Sequence, residues 1–274
     1  MNSPPAAAAD PFPVVIPREE PLIEGRLLGR YNRFLSDIEL PGGEVVTAHC
    51  VNTGAMEGLC APGTRVWISR ADNPNRKLKF TWEMAEAGGH VYGANTAMPN
   101  RIVGELLERR ALPWLAKWDE LRPECPYGEN CRVDFRLKFG RRYHFLEVKN
   151  VHLYYPDGRA YFPDSVSERG ANHLRELSAL LEPRKASAEV LFFVQIPAAK
   201  AIRPSDAHDP AFAAAARAAR QAGVRFRALR VAHTAEAIHV LGTMPVDLKP
   251  YNTERPAAWR KANKENGSSG WKRR

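Results

Sequence analysis

Hydrophobic and polar positions divide the chain into two stretches of different period. Between Leu22 and Ala94 the apolar residues fall in short runs: Leu22 to Leu40, Glu44 to Val51, Thr64 to Arg70, Leu78 to Ala85 and His90 to Ala94. Between them lie turn formers: Pro41-Gly42-Gly43, Asn52-Thr53-Gly54, Pro62-Gly63, Asp72-Asn73-Pro74-Asn75 and Gly88-Gly89. Val45, Thr47, His49 and Val51 alternate with Val46, Ala48 and Cys50, as on a strand with one buried face. Five short strands, the first long and strongly curved, predict a small closed β-barrel of the oligonucleotide-binding (OB) kind.

The period changes after Asn95. A helix starting at Pro99 or Asn100 places Ile102, Val103, Leu106 and Leu107 on one apolar stripe, with Glu105 beside it and Arg109 and Arg110 on the outer face. Trp114 to Pro126 carries no readable pattern. Val133 to Asn150, VDFRLKFGRRYHFLEVKN, reads as a β-hairpin turning at Gly140-Arg141, with Phe145, Glu147 and Lys149 on one face of its second arm and Leu146, Val148 and Asn150 on the other. A β pair follows at Val151 to Tyr155 and Ala160 to Phe162. Ser165 and Glu168 have capping-box spacing before a helix through Leu181 that Pro183 stops. Glu189 to Ile196 is apolar enough to be a strand buried on both faces, interrupted only by Gln195. An alanine-rich helix, Ala211 to Ala222, ends at Gly223, and strands follow at Val224 to Val231 and Ala237 to Leu241.

This order predicts a two-domain α+β or α/β chain: a flexible leader (1–20), a five-stranded OB-like barrel (21–95), an α/β domain with a central mixed sheet (96–250) and a basic disordered tail (251–274).

Composition changes this picture in one respect. At 274 residues, with 44% hydrophobic and 26% charged residues, the chain is ordinary for a globular protein. The net charge of +9 favours a polyanionic partner, DNA or RNA, and +5 of it falls within 251–274. Such a tail is either solvated chain or an auxiliary phosphate-binding arm. Cys50, Cys60, Cys125 and Cys131 have neither zinc-site spacing nor disulfide density, so reduced thiols are expected. The first twenty residues form neither a signal peptide nor a membrane span, and a cytoplasmic location without membrane attachment is the expectation.

Candidate chemistry centres on the hairpin. Asp134, Glu147 and Lys149 can converge at one sheet edge, and Glu105 can join them from the preceding helix. Asp134, Glu147 and Glu105 offer the hard oxygen ligands that Mg2+, or Mn2+ in its place, requires. The metal would activate water and offset charge on a phosphodiester, with Lys149 orienting the water or stabilising the transition state. The plain alternative is that Glu147 and Lys149 are solvated neighbours on a strand. Arg169 and His173, with Asn172 and Arg175, can face the same cleft and contact phosphate, although a helical His is commonly a surface or satisfied residue. Gln195 needs hydrogen-bond partners, structural or substrate-borne. On the barrel, Arg30, Arg33, Arg70, Arg76 and Lys77 accompany Tyr31, Phe34, Phe80 and Trp82 as a cationic, aromatic nucleic-acid face; alternatively the aromatics fill the barrel. No phosphate-binding Gly-rich loop, nucleophile elbow or His-Glu-x-x-His helix occurs.

The segments RYNRFLSDIEL, HCVNTGAMEGL, PGTRVWISRADNPNRKLKFTWE, NTAMPNRIVGEL, RVDFRL, LEVKNV, FPDSVSERGANHLREL, VLFFVQI and IRPSDAHDP together resemble the sugar fermentation stimulation protein A family of bacteria and archaea, from about Leu22 to Leu248. The resemblance implies an OB barrel, a second domain similar to the PD-(D/E)xK nucleases, DNA binding and a regulatory role in sugar metabolism. On that pattern Asp134, Glu147 and Lys149 match the core acidic residues and lysine, Glu105 the helix acid and Gln195 a strand glutamine. Val133 stands where the motif's proline would be. Because nuclease folds also serve as binding modules, two functions follow: a largely sequence-nonspecific DNA-binding protein, or a Mg2+-dependent nuclease acting through Glu105, Asp134, Glu147 and Lys149.

Overall fold

The computed structural model describes residues 11–272 except 72, 74, 128–130 and 182–184. The first ten residues of the expected leader, the Pro183 helix stop and the last two arginines of the tail lie outside the described residues. Strand β1 (Val14–Pro17) precedes six strands: β2 (Ile23–Tyr31), β3 (Leu35–Glu39), β4 (Val45–His49), β5 (Arg65–Arg70), β6 (Phe80–Ala87) and β7 (His90–Gly93). The sheet order β4-β3-β2-β5-β6-β7 closes through a parallel β4–β6 pairing, so β2 to β6 form a five-stranded barrel and β7 is an added edge. Alternate residues Leu27, Ile38, Val46, Ala48, Val66, Ile68 and Trp82 point inward and are buried. Each such large apolar side chain contributes about 1.5–3 kcal/mol by leaving water.

Helix α1 (Met98–Glu108) opens the second domain, followed by β8 (Glu120–Tyr127), β9 (Cys131–Phe139), β10 (Arg142–Val151), β11 (Leu153–Tyr155) and β12 (Arg159–Phe162). Then come α2 (Glu168–Ala179), β13 (Ala186–Val194), β14 (Ile202–Pro204), α3 (Pro210–Ala222), β15 (Arg225–His233), β16 (Ala237–Thr243) and α4 (Glu254–Glu265). The main sheet runs β1-β16-β15-β13-β10-β9-β8, with β10, β13 and β15 mutually parallel at its centre and antiparallel pairs at both sides. The apolar run at Glu189 to Ile196 is therefore the central strand, covered on both faces as its lack of alternation required. Leu146, Val148, Leu191 and Phe193 pack on the α1 side, while Val190, Phe192 and Val194 pack with Leu174, Leu177 and Phe212 of α2 and α3. This second core is continuous with the barrel core, so the two domains share buried surface.

Several expectations are corrected. Leu22 to Leu40 is a hairpin, not one curved strand: Asn32 and Arg33 both adopt left-handed backbone conformations (φ 48° and 69°), as a tight hairpin turn requires. The fifth expected barrel strand, His90 to Ala94, is the edge strand β7. The leader is not wholly loose, because β1 pairs with β16 at the sheet edge. The unreadable stretch before Pro126 contains β8, an edge strand that tolerates Pro123 and Pro126. Helix α2 is capped by Ser167, not Ser165; its hydroxyl accepts the Gly170 N–H at 3.0 Å. The tail is ordered where described: α4 lays Trp259 against Tyr155, and Lys272 bridges to Tyr31. All four cysteines are free thiols.

Candidate functional site

The β9–β10 ladder runs from Arg142 opposite Phe139 to Leu146 opposite Phe135 and ends there. Where Asp134 and Glu147 would pair next, the strands separate and the Asp134 carboxylate takes over the ladder's role: its Oδ2 accepts the Val148 N–H at 2.6 Å. Its Oδ1 accepts from Asn100 Nδ2 on α1, also at 2.6 Å. Meanwhile β10 keeps its parallel pairing to β13, with Glu147 beside Val190 and Lys149 beside Phe192, which holds both side chains rigidly on one face.

Glu147 is 3% exposed. Its Oε1 accepts from Lys149 Nζ at 2.6 Å and from His173 Nδ1 of α2 at 2.8 Å. Arg169 Nε donates to the other ring nitrogen of His173 at 3.4 Å, which assigns the hydrogen of a neutral His173 to Nδ1. Glu147 Oε2 is buried and has no hydrogen-bond partner among the described residues.

The two carboxylates respond differently to burial. Burial, reinforced by the charge of Glu147, pushes the Asp134 carboxyl up to about 6, against the opposing pull of the Val148 N–H, Lys149 and Asn100. Burial acts on Glu147 in the same sense, but Lys149 and His173 outweigh it and hold its carboxyl below the ordinary value. On β8, burial and then the charge of Glu147 raise the Tyr127 hydroxyl, itself buried without a partner among the described residues.

Not every expected residue joins this cluster. Glu105 forms an ion pair with Arg109 one turn along α1, and the α1 side chain that bonds Asp134 is Asn100. Among the described residues no group of three or more His, Cys, Asp or Glu is arranged to hold a metal, so the expected three-carboxylate set is not assembled. The donor set that is present still suits Mg2+ or Mn2+, which bind through one or two carboxylates and complete their shell with water and phosphate oxygens. Glu147 Oε2 has no partner among the described residues, and Asp134 is disfavoured as an anion partly by Glu147; a bound cation would offset both.

His173 is buried against Glu147 and does not face phosphate, whereas Arg169 is exposed. Gln195 lies beyond the cluster at the domain junction, where its Nε2 donates to Asn150 Oδ1 and its Oε1 is buried beside Gly93 without a partner among the described residues. Arg30 is 4% exposed; its guanidinium donates to the carbonyls of Arg33, Asn52 and Gly54, so it holds loops together and is not a nucleic-acid contact. Arg76 is half-buried and tied to Thr81 and His49. Arg33, Arg70 and Lys77 are exposed.

Beside Arg33, Phe34 is 47% and Trp271 37% exposed, and the Arg33 guanidinium lies 6.0 Å from the Trp271 ring centre. Asn100, Tyr127 and Trp271 are the neighbours that sequence reasoning missed. Only Asn100 carried a signal, as a polar residue in the first turn of a helix packed on the hairpin.

Together these features define a class: a closed OB barrel fused to an α/β domain with a mixed sheet and a carboxylate pair at a splayed hairpin. Residues 28–93 match the model of the SfsA N-terminal OB domain, and residues 97–237 that of the sugar fermentation stimulation protein RE domain. The chain belongs to the sugar fermentation stimulation protein family. It is 45% identical over 232 residues to a sugar fermentation stimulation protein homolog of Synechococcus elongatus, covering 83% of this chain and 96% of that protein. A homolog from Pseudomonas aeruginosa is 46% identical over 233 residues, covering 84% and 99%. A solved structure of Pyrococcus furiosus SfsA in complex with Ca2+ superposes with a TM-score of 0.75 at 25% identity, over 88% of this chain and all of that one. No described helix is long and apolar enough to cross a membrane.

Proposed function

We propose that the protein binds DNA, with little preference for sequence, in keeping with a regulatory role in sugar metabolism. The observation that carries this reading is the exposed platform of Phe34 and Trp271 flanked by Arg33 on the rim of a closed OB barrel. Every base has a π-face, so stacking on exposed rings beside cations binds single strands whatever their sequence. Arg70 and Lys77 extend the cationic rim, and Lys272 of the tail is held at the same edge by its bridge to Tyr31. Binding of labelled single-stranded DNA, followed by fluorescence anisotropy, tests this. Phe34→Ala should weaken binding on the order of tenfold, the value of one stacked base. Unchanged affinity in Phe34→Ala and Arg33→Ala would remove the platform from the interface. The same assay with RNA measures preference between the two polyanions.

A second reading, divalent-cation-dependent cleavage of DNA or RNA, is favoured by Glu147 Oε2, buried without a partner among the described residues, and by the second carboxylate, Asp134, whose charge Glu147 opposes. Asp134 and Glu147 would hold Mg2+ or Mn2+. Ca2+ in the Pyrococcus furiosus relative supports a site for a hard cation, because both ions take oxygen ligands. A bound cation supplies charge that activates water and offsets the phosphate. Lys149, 13% exposed and anchored on Glu147, presents its ammonium to the same space and can steady a non-bridging phosphate oxygen. His173 and Arg169 fix the Glu147 rotamer from α2. Metal-dependent cleavage that vanishes in Glu147→Ala and Lys149→Ala, with binding retained, would establish this activity; intact DNA and RNA in Mg2+ and Mn2+ would exclude it for those substrates.

A further inference from the structure

A cavity of about 470 Å3 lies where the link between β1 and β2, the barrel strands β5 and β6 and the start of α1 meet. It has the size of a small-molecule site, ordinarily about 300–1,000 Å3. The link is fastened in place, since Arg18 and Leu22 donate their backbone N–H groups to the carbonyls of Glu236 and Ala235 at 2.8 and 2.9 Å.

Three arginines from three segments line the cavity: Arg18 of the link, Arg70 of β5 and Arg101 of α1. Three carboxylates, Glu19, Glu20 and Glu83, line it too. Among the described residues none of these arginines forms an ion pair, with these carboxylates or with any other. Arg18 matters most, because it is half-buried and its partners are uncharged. Its Nε donates to the Thr234 carbonyl at 3.2 Å, and its Nη2 lies 3.6 Å from Met84 Sδ and 3.4 Å from His233 Nδ1. Burial lowers its guanidinium below the ordinary value; Glu83 opposes that, and the like charge of Arg101 adds to it. Guanidinium groups held partly out of water beside one another are stabilised by a shared anion. Ala97 and Met98, at the start of α1 where no side chain caps the helix, line the same cavity and add the positive end of the helix.

Arginines arriving from three segments suit a tetrahedral phosphate, which accepts from several directions, whereas one arginine satisfies a planar carboxylate. The carboxylates of the lining specify the rest of the ligand. Glu83 is buried and already engaged by neutral donors, Ser69 Oγ at 2.8 Å and Asn95 Nδ2 at 3.0 Å. Glu19 and Glu20 are exposed and have no side-chain partner among the described residues. The three arginines repel an ammonium or a metal ion from the same space, so the donors that suit Glu19 and Glu20 are neutral hydroxyls.

We propose that this cavity binds a small phosphorylated sugar, its phosphate on Arg18, Arg70 and Arg101 and its hydroxyls on Glu19 and Glu20. The inference goes beyond the nucleic-acid reading and does not depend on it. One turn of helix links the cavity to the carboxylate pair: Ala97, Met98 and Arg101 line the cavity, while Asn100 holds Asp134. Arg70 is shared with the cationic rim, so the test rests on Arg101, Glu19 and Glu20.

Isothermal titration calorimetry of the full chain compares glucose 6-phosphate, inorganic phosphate and glucose at one ionic strength. Glucose 6-phosphate should bind on the order of tenfold more tightly than inorganic phosphate, the value of one hydrogen bond to a charged group, and glucose should give no measurable heat. Arg101→Ala should weaken both phosphate ligands by about tenfold or more. Glu19→Ala combined with Glu20→Ala should remove the advantage of the sugar and keep inorganic phosphate bound. Arg109→Ala, exposed at the other end of α1, should change neither affinity. All four residues are exposed, so these variants keep the fold, which thermal melts verify. Equal affinity for glucose 6-phosphate and inorganic phosphate, no binding of either, or binding untouched by Arg101→Ala overturns the inference. Preference for phosphoethanolamine over glucose 6-phosphate also overturns it, by assigning the carboxylates to an ammonium. If Arg101→Ala weakens single-stranded DNA binding while no free ligand binds, the cavity is a strand contact and the small-ligand inference fails. The DNA-binding reading stands or falls separately, on Phe34→Ala.

Discussion

Asp134 accepts the backbone N–H of Val148 at 2.6 Å, so a side-chain oxygen occupies the place of a strand carbonyl where the β9–β10 hairpin opens. The carboxylate is thus structural and chemical at once, and the two roles separate by substitution. Asp134→Ala leaves a buried N–H unpaired and should cost about 1–3 kcal/mol in urea unfolding. Asp134→Asn keeps an acceptor and removes a charge that burial disfavours, so at pH 8 it should be as stable as wild type or more so. Calorimetric titration with Mn2+ should detect binding in neither variant.

Arg30 and Arg33 are three residues apart and have opposite environments. Arg30→Ala removes a buried guanidinium that satisfies several loop carbonyls and should destabilise by more than about 2 kcal/mol. Arg33→Ala, at an exposed turn, should change stability by less than about 0.5 kcal/mol and weaken DNA binding instead. Thermal melts beside anisotropy measure both.

Gly93 sits where a Cβ would overlap Gln195 Oε1 and come within 2.9 Å of His233 Nε2. Gly93→Ala must push apart buried groups at the domain junction and should cost about 1–3 kcal/mol, read from the urea midpoint. A neutral outcome would mean that the junction yields without loss.

Burial holds the imidazoles of His144 and His233 down to about 3, with Arg225 adding to the effect at His144 and Arg18 at His233. Both are neutral in the fold and take up a proton on unfolding below about 6.5. Their contribution is complete above that pH and declines as the pH falls towards 3, by on the order of 2 kcal/mol per histidine at pH 5. Asp134 acts in the opposite direction between about 6 and 4, since its folded carboxyl binds a proton first. Urea midpoints should therefore fall from pH 8 to pH 5, and His144→Gln should lessen the fall. A pH dependence identical to wild type would contradict the assignment of His144.

Strand alternation and the apolar run at Glu189 to Ile196 carried most of the architecture, because period and burial on two faces are local properties of sequence. The carboxylate pair and Lys149 were legible for the same reason: one strand face and one hairpin bring them together. The Asn32–Arg33 turn was hidden because its left-handed conformations fall on no glycine. An acid on α1 is the residue type that suggests a metal ligand, which points to Glu105, yet Glu105 and Asn100 are separated by roughly 140° around the helix, and Asn100 is the one turned to Asp134. The docked tail was unreadable because α4 offers few apolar residues and its hold, through Trp259 and Arg260, is entirely long-range.

The most direct test of the account is the salt dependence of single-stranded DNA binding by the full chain. A strand lying across Arg33, Arg70, Lys77 and Lys272 would neutralise about four phosphates, which predicts a log–log slope of affinity against salt of about −3. A slope of that size, reduced by about one unit on losing one of these side chains, is the predicted result. A flat dependence, or no binding at low salt, would contradict it.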